Sequence, residues 1–518
     1  GAPHHLAGGA TRRQRLLAVV VVTLVAVLGT GLRAAHAAAY LPWEHHWDEI
    51  TNVGVGERMS ADLSPDPGFY DYPALIFLAQ AAVLVPAAQP GGYDPDTEPL
   101  MDVQSQGNAH VDEPGLLLAM RWVAGVLPGI VTIGAAGAIA WTVTRRWWAA
   151  GMAALLAAIS AVDLRFGVFV TPDALSGAFA TLAVLGAVAV VQRPTRRSYV
   201  LTGLAIGLAA AAKYNAAVVA VALVVAHVIT HRRPLADRRP LLEAAAAAAV
   251  AFAVVNLGAV LHPQRFVREI GSEGFHYSNG HFGNEGHSPL FNASWLWQSF
   301  GLGLVLLALA ALLARTDRVR HAALVIAGFA GGYYLFLSVF PVRFARNLLP
   351  MTGTVAAGAA IGLVVVGERL AGRWSRPAAV AVPMAALALA VLSLPVASAA
   401  AAMRSIEQDP WSEVRDWLDD NVPEGTAVAV EARAPYVDPD RYRIVPTIAL
   451  GNHDLAWYQL LGVGRFVAVS EMYQPYLDSP DEHPDGTTLY RQVLDDRCVD
   501  FEADGADLHI VVARVPPC

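Results

Sequence analysis

The sequence predicts a polytopic α-helical membrane protein that ends in a small soluble α/β domain, and three observations lead to this prediction. Of the 518 residues, 55% are hydrophobic and the mean hydropathy is +0.43, which is too apolar for a soluble protein of this length. The apolar residues come in runs of roughly 20, the length that crosses about 30 Å of hydrocarbon as a helix. From residue 404 onward these runs stop and acidic residues accumulate.

Short arginine clusters separate the apolar runs and set their orientation. Loops rich in arginine stay on the cytoplasmic side, so each interval between consecutive clusters holds one outward and one inward helix. The intervals, together with a last apolar run at about 378–400, predict about eleven membrane helices. The clusters lie at 12–13, 145–146, 193–197, 232–239, 315–320 and 369–376.

The first span, roughly 16–38, has the basic start and the Ala35-His36-Ala37 pattern of a secretory signal. We nevertheless expect it to be retained as the first membrane helix. The same alternation of outward and inward helices places five segments on the outer side of the membrane. These segments are the long first loop at 40–115 and the shorter ones at 163–173, 213–215, 262–292 and 341–347.

Residues 404–518 are predicted to form an extracytoplasmic α/β domain, separate from a transmembrane catalytic domain at 1–403. The periodicity indicates one amphipathic helix and three short buried strands. The helix is at 411–418, and the strands are at 427–430, 466–470 and 509–513. Both cysteines, Cys498 and Cys518, lie in this domain. An oxidising environment favours a disulfide between them, and two unpaired thiols are the alternative.

Polar residues gather at the outer boundary of the membrane. Asp48 and Glu49 follow the first span, and paired carboxylates are costly to hold near lipid, which favours a functional role. Lys213 is the single lysine of the chain. It lies between the basic clusters at Arg197 and Arg232, and a helical rise of about 1.5 Å per residue puts it roughly 24–28 Å from the inner surface. Asp48, Glu49 and Lys213 are therefore predicted to lie at the same depth, at the outer boundary of the membrane.

Five motifs in order along residues 40–360 carry a resemblance to a known family. They are Trp47-Asp48-Glu49, Phe69-Tyr70-Asp71-Tyr72-Pro73-Ala74-Leu75, Phe169-Val170-Thr171-Pro172-Asp173, Ala212-Lys213-Tyr214-Asn215, and Arg343-Phe344-Ala345-Arg346-Asn347-Leu348-Leu349-Pro350. The chain resembles GT-C-fold glycosyltransferases of the protein-mannosyltransferase and aminoarabinose-transferase-like superfamily. The resemblance implies a polyprenyl-phosphate-linked sugar as donor and inverting transfer to an acceptor hydroxyl.

Such a transfer needs a carboxylate within reach of the acceptor hydroxyl as general base. We assign this role to Asp48, as the resemblance also implies; helix capping beside the interface is the alternative. Glu49 points elsewhere on any helix or strand, so we expect it to support the site. The departing phosphate needs fixed cations. The candidates are Lys213, Arg343, Arg346 and Arg165, with snorkelling to the lipid headgroups as the alternative for each.

Three further residues are candidates for contact with the sugar or the acceptor. Asp173 opens a helix, where it could orient the sugar or simply cap the helix. Tyr72 could line the acceptor or lipid path, although aromatic residues at this depth commonly anchor helices in the interface. His281 belongs to a Gly-rich outer loop that could close over the substrate.

No metal is expected to be required, because the histidines match no metal-binding motif. His45-His46 lies beside Asp48 and Glu49, and the fourth outer loop adds His276, His281, His287 and Glu285. The protein-mannosyltransferase branch implies no divalent ion, whereas oligosaccharyltransferases of the same broad fold use one. A divalent metal therefore remains an alternative.

Two other classes compete with an enzyme: a transporter or flippase of lipid-linked sugars, and a non-catalytic scaffold that binds polyprenyl lipid. A transporter should show internal repeats and polar residues at the bilayer midplane, and neither is seen in the sequence. The expected partners are the lipid bilayer, a polyprenyl-phosphate-linked sugar and an acceptor glycan, lipid or protein. Nucleic acid is excluded by the lack of a basic face. The expected location is the inner (plasma) membrane, and the arginine and alanine content is typical of a GC-rich, actinobacterial-type source.

Overall fold

The computed structural model describes residues 11–88, 99–280, 283–372, 377–505 and 508–518. Most of these residues are helical. The helices before the C-terminal region are α1 (Arg12–Ala37), α2 (Trp47–Ala61), α3 (Leu75–Ala87), α4 (Pro114–Arg121), α5 (Leu127–Thr144), α6 (Trp147–Ala158), α7 (Ala161–Phe166), α8 (Asp173–Gln192), α9 (Arg196–Ala212), α10 (Ala220–Thr230), α11 (Arg239–Val255), α12 (Leu257–Leu261), α13 (Pro263–Asn279), α14 (Ser288–Phe300), α15 (Leu302–Leu313), α16 (Asp317–Ser338), α17 (Leu349–Ala371) and α18 (Pro377–Arg404). A π-helical turn (Trp122–Val126) joins α4 to α5, and 3-10 turns (Tyr214–Val219 and Ala345–Leu348) precede α10 and α17.

Several helices are long and apolar enough to cross a membrane. Among the described residues there are six by length and composition, and a seventh if α14 and α15, which meet at a 94° bend, form one broken span. The six are Arg12–Ala37, Pro114–Thr144, Asp173–Gln192, Asp317–Ser338, Ala345–Ala371 and Val380–Arg404. Three further apolar helices are shorter: Leu75–Ala87, Trp147–Ala158 and Tyr214–Thr230. The chain is thus a multi-span membrane protein, and the predicted number of eleven spans stays a prediction.

Close helix packing depends on small residues. The first seventeen residues of α17 are all buried, which makes it the central helix. Helices α9 and α11 approach so closely that a Cβ on Gly203 or Gly207 would lie 2.1 or 2.2 Å from the carbonyl oxygen of Ala244 or Ala248. Small residues permit this approach, which membrane helices use because lipid supplies no hydrophobic force between them.

Helix α6 ends inside the protein, and an arginine of α1 stabilises that end. Arg33, which is 1% exposed, donates hydrogen bonds to the carbonyls of Ala157 and Ala158 at 3.2 and 3.0 Å. The last carbonyls of a helix have no partner within it, so a buried end needs such donors. The short α7, which carries Arg165, follows this end and leads to the loop before α8.

The first outer loop forms a small antiparallel sheet of the order β1-β3-β2. Its strands are β1 (Trp43–Glu44), β2 (Met101–Ser105) and β3 (Asn108–Val111). Trp43 pairs with His110, and Met101 pairs with Val111. The sheet connects the segment that leads into α2 with the C-terminal region.

The C-terminal region has its own core around a five-stranded sheet of the order β5-β4-β6-β8-β7. Strands β5, β4 and β6 are parallel, and β8 and β7 are antiparallel to their neighbours. The elements are α19 (Pro410–Asn421), β4 (Ala427–Val430), β5 (Arg443–Pro446), α20 (Leu455–Leu460), β6 (Val463–Val469), α21 (Ser470–Asp478), α22 (Pro484–Val493), β7 (Val499–Asp504) and β8 (His509–Arg514). Cys498 and Cys518 form a disulfide. The division of the chain at residue 404 stays a prediction.

Hydrogen bonds hold the C-terminal sheet against the first outer loop. The side chain of Gln104 in β2 donates to the carbonyl of Val437 at 2.7 Å and accepts from its backbone N–H at 3.1 Å. Asn108 in β3 donates to the carbonyl of Pro435 at 3.1 Å. Next to α2, the ring of His45 stacks on Trp411 with centroids 4.2 Å apart. The C-terminal region is therefore docked on the segment that carries Asp48.

Candidate functional site

Asp48 lies in the first turn of α2, where its carboxylate forms one ion pair and accepts one hydrogen bond. The Nη2 of Arg346 lies 2.8 Å from Oδ2, and the hydroxyl of Tyr72 donates to the same oxygen at 2.9 Å. Arg346 belongs to the 3-10 turn before α17, so the pair joins the first outer loop to the central helix. The side chains of Asp48 and Arg346 are 19% and 16% exposed, which leaves the pair accessible from one side.

The surroundings of Asp48 keep it ionised. Burial alone would raise the pKa of its carboxyl, but the charge of Arg346 and the hydrogen bond from the Tyr72 hydroxyl outweigh burial and lower the pKa below its ordinary value. The N-terminus of a helix also favours a negative charge. Asp48 is therefore a carboxylate throughout the neutral pH range.

A second charged group lies beside the first. The Nζ of Lys213 donates to Oδ1 of Asp173 and to the amide oxygen of Asn347, both at 2.6 Å. Lys213 ends α9 and Asp173 begins α8, so two helix ends supply this pair. Asn347 directly follows Arg346 in the chain, which links the pair to Asp48. Asp173 is 1% exposed, and its Oδ2 has no hydrogen-bond partner among the described residues.

Glu49 faces away from the Asp48 carboxylate and belongs to a buried ion pair. Arg121 of α4 donates to both of its carboxylate oxygens, at 2.9 and 2.6 Å, and also to Glu44. The backbone N–H of Val170 donates to Glu49 at 2.8 Å. Glu49 thus joins α2 to α4 and to the loop before α8. Arg121 was not predicted as a site residue, because it lies within an apolar stretch.

The remaining cationic candidates contact aromatic rings. The guanidinium carbon of Arg343 lies 5.6 Å from the ring centroid of Phe291, and that of Arg165 lies 5.6 Å from the ring centroid of Trp295. The Nε of Arg343 is buried without a hydrogen-bond partner in the described part of the chain. His281 lies outside the described residues. The assigned roles of all site residues stay predictions.

The histidines before α2 are buried and neutral. Burial, with the nearby arginine charges, lowers the pKa of His45, and burial is the main cause that lowers the pKa of His46 to about 4. His45 packs on Trp411, and His46 packs on Phe169 with ring centroids 4.6 Å apart. In the described ranges, no three His, Cys, Asp or Glu side chains are placed to hold a metal ion. A metal requirement stays untested.

Helix α13 forms the wall opposite Asp48, and the sequence did not single it out. Tyr277 accepts a hydrogen bond from the amide nitrogen of Asn347 at 3.2 Å, and Glu269 accepts one from the backbone N–H of Tyr70 at 2.6 Å. A recess opens next to Asn347. It is lined by Tyr277, Asn292, Leu337, Phe340, Val342, Phe344 and Asn347. The spacing of polar residues along α13 is the signal that could have found this wall.

The arrangement combines a carboxylate, two cations and an aromatic recess at one end of the helical bundle. A carboxylate of this kind can accept a proton from a hydroxyl group. Lys213 and Arg346 can bind an anion, and Arg346 can do so with two parallel hydrogen bonds. The site can therefore hold a phosphate next to a base.

A scan against protein families matches residues 117–257 to the model described as dolichyl-phosphate-mannose-protein mannosyltransferase. The match covers α4 to α11 and includes Lys213, Asp173 and Arg121. No curated protein matches this sequence.

Solved structures resemble this one over nearly the whole chain. The archaeal oligosaccharyltransferase AglB from Archaeoglobus fulgidus, in complex with an inhibitory peptide and a dolichol-phosphate, has a TM-score of 0.54 at 11% identity, covering 92% of this chain and 73% of its own. ArnT from Cupriavidus metallidurans in the apo state has a TM-score of 0.50 at 15% identity, covering 95% and 97%. These likenesses show the fold. The chain has the GT-C fold, and this part of the prediction drawn from its motifs is confirmed.

Proposed function

We propose that this GT-C-fold membrane protein is a glycosyltransferase that moves a sugar from a polyprenyl-phosphate donor to an acceptor hydroxyl. The observation that carries the proposal is the Asp48 carboxylate, bonded to Arg346 and Tyr72 and adjacent to the Lys213 pair. These groups are drawn from the ends of several helices, as expected for a site at the membrane surface. Because the arginine-rich loops are assigned to the cytoplasmic side, this surface is the outer face of the plasma membrane, where the C-terminal domain also lies.

The donor phosphate binds to the cations in this proposal. Arg346 uses Nη2 for Asp48, and its Nε is buried with no hydrogen-bond partner among the described residues. The side chain as a whole is 16% exposed, so its accessible part can contact a phosphate oxygen while the pair with Asp48 persists. Lys213 adds a point charge on the other side of Asn347. Arg343 and Arg165 are further candidates.

Asp48 acts as the general base. The acceptor oxygen attacks the anomeric carbon, the bond from that carbon to the phosphate oxygen breaks, and its electron pair leaves with the polyprenyl phosphate. The acceptor proton moves to an oxygen of Asp48. Attack from the face opposite the leaving group inverts the anomeric configuration. Fixed cations at the leaving oxygen stabilise the charge that grows there in the transition state.

The donor also adjusts the base. The charge of Arg346 holds the pKa of Asp48 low, which weakens it as a base. A phosphate that shares the guanidinium weakens this hold, so Asp48 becomes more basic once the donor is bound. Donor binding before acceptor attack follows from this coupling.

The comparisons support the class of donor. The matched family is described by a dolichyl-phosphate-mannose donor, and the AglB structure contains a dolichol-phosphate. We therefore propose a hexose or pentose on a polyprenyl phosphate, with mannose and arabinose as the first to test. The acceptor is a glycan, lipid or protein of the cell envelope.

The test uses the purified full-length protein in proteoliposomes with radiolabelled polyprenyl-phosphate mannose and arabinose and a membrane fraction as the acceptor. We expect label to move to the acceptor with release of polyprenyl phosphate, and the product to have the opposite anomeric configuration to the donor. Binding of these lipids without transfer of any sugar would indicate a scaffold. Label moved across the bilayer while still on its lipid would indicate a flippase.

A further inference from the structure

Helix α13 presents one face to the site and the opposite face away from it. The residues on the first face follow each other by three or four positions, which places them in one row. They are Phe266, Glu269, Glu273 and Tyr277. On the other face, Val267 and Phe275 are 67% and 70% exposed, as expected for a helix that lies in the membrane interface.

Two anchors on either side of Glu273 fix its position. One turn before it, Glu269 accepts a hydrogen bond from the backbone N–H of Tyr70. One turn after it, Tyr277 is bonded to Asn347, which in turn holds Lys213. Glu273 therefore lies on the site face of α13, between the segment that contains Tyr70 and the cationic groups.

The Glu273 carboxyl is half-buried and has no hydrogen bond or ion pair with the described residues. Burial and the charge of Asp71 raise its pKa to about 6, and Lys213, Asp48 and Arg346 are close enough to act on it as well. A half-buried carboxyl without a partner is unfavourable for the protein alone. It becomes favourable when a ligand supplies hydrogen-bond donors.

The chemistry of the donor decides which part of it reaches Glu273. A phosphate is repelled by a carboxylate, whereas sugar hydroxyls are good donors to one. The sugar ring is bonded directly to the phosphate, so it must lie within one ring width of the cations. We propose that Glu273 accepts hydrogen bonds from hydroxyls of the donor sugar and so selects the glycosylated lipid over bare polyprenyl phosphate. This assignment rests on the proposed function.

The test compares the binding of two probes: polyprenyl phosphate alone, and polyprenyl phosphate that carries mannose or arabinose. The full-length protein is used in detergent, as wild type, Glu273→Ala and Glu273→Gln. Arg268→Gln, which removes a charge from an exposed position of the same helix, is the control. We expect the wild type to bind one glycosylated lipid more tightly than the bare lipid.

Glu273→Ala should lose that preference by about tenfold or more, because hydrogen bonds to a charged group are strong. It should bind the bare lipid at least as tightly as the wild type does, because the carboxylate that repels phosphate is gone. Glu273→Gln keeps one acceptor oxygen, so its preference for the glycosylated lipid should lie between those of the wild type and Glu273→Ala. An unchanged preference in Glu273→Ala, or an equal loss for both probes, would overturn the assignment and leave the proposed function standing. A wild type that binds no glycosylated lipid would overturn the proposed function as well.

Discussion

At the scale of single residues, the site consists of two ion pairs joined through neighbouring residues of one turn. Arg346 is bonded to Asp48, and Asn347 is bonded to Lys213, which also binds Asp173. A buried charge is costly unless its partner is present. Loss of either member of a pair thus leaves an unpaired buried charge, so a substitution there affects both folding and chemistry.

Lys213 and Asp173 allow these two effects to be separated. Lys213→Met leaves the Asp173 carboxylate buried without its cation, so we expect a loss of about 3 kcal/mol in the free energy of unfolding. The double variant Lys213→Met/Asp173→Asn removes both charges and should recover most of this stability. If Lys213 binds the donor phosphate, the double variant stays inactive. A thermal unfolding series combined with a transfer assay checks both parts; recovered activity in the double variant would exclude the phosphate role.

The pair of Asp48 and Arg346 predicts a shift in pH dependence. In Arg346→Gln the cation that lowers the pKa of Asp48 is lost, so this pKa should rise. Because Asp48 acts only when ionised, activity is lost as pH falls through its pKa, and the acid limb of kcat/KM should move to higher pH by the same amount. The pH profile of kcat/KM measures it. An acid limb at its original pH, with activity still present, would show that Asp48 is not the titrating base.

At the scale of secondary-structure elements, the position of α2 depends on the contacts of Glu49, the residue after Asp48. Arg121 joins α2 to α4 through Glu49, and the same carboxylate holds Val170 before α8. The helix end that carries Asp48 is therefore fixed from two directions. Positioning of this kind matters because a small misplacement of a catalytic group reduces the rate strongly.

Arg121→Met should consequently cost about 3–5 kcal/mol of stability, because it leaves two buried carboxyl groups without a cation. The matched control is Arg196→Gln. Arg196 pairs with Glu243 but is 79% exposed, and an exposed pair contributes about 0–1 kcal/mol. Chemical denaturation of both variants in the same detergent gives the comparison. Similar losses in the two variants would contradict the account of α2.

At the scale of the whole molecule, the C-terminal sheet is docked on the loop that leads to the site. Gln104 and Asn108 bind the backbone of the segment after β4. His45, which lies two residues before the start of α2, packs on Trp411. A disturbance in the C-terminal region can therefore reach Asp48 through this contact. The disulfide between Cys498 and Cys518 lies within the same region.

Gln104→Ala tests this docking, because it removes two hydrogen bonds to Val437 and leaves the core of the C-terminal sheet intact. We expect docking to weaken by about 1–3 kcal/mol. Hydrogen–deuterium exchange should then become faster in β2 and β3 and stay unchanged in β4 and β6. Gln459→Ala, which removes a hydrogen bond to the carbonyl of Pro516 within the C-terminal region, is the control. Equal exchange in all four strands before and after Gln104→Ala would show that these bonds do not hold the contact.

The sequence was sufficient for the features that single positions reveal. Asp48, Lys213 and Arg346 are charged residues at the ends of apolar runs, and this position is unusual enough to identify them. Pairings were harder to find: Arg121 lies within an apolar run, and its partner Glu49 is far away in the chain. Glu273 lies in the segment 262–292, which was predicted only as an outer loop, so its position on a helix face was not expected. The break after α6 was also hidden, because both halves are apolar.

The measurement that tests the central claim most directly is single-turnover transfer from the active polyprenyl-phosphate sugar by Asp48→Asn. Asp62→Asn, an exposed acid at the end of the same helix, is the matched control. If Asp48 is the general base, the transfer rate of Asp48→Asn should be about 10²–10⁴-fold below that of the wild type, while binding of polyprenyl phosphate is retained. The control should transfer at the wild-type rate. Transfer by Asp48→Asn at the wild-type rate would contradict the account.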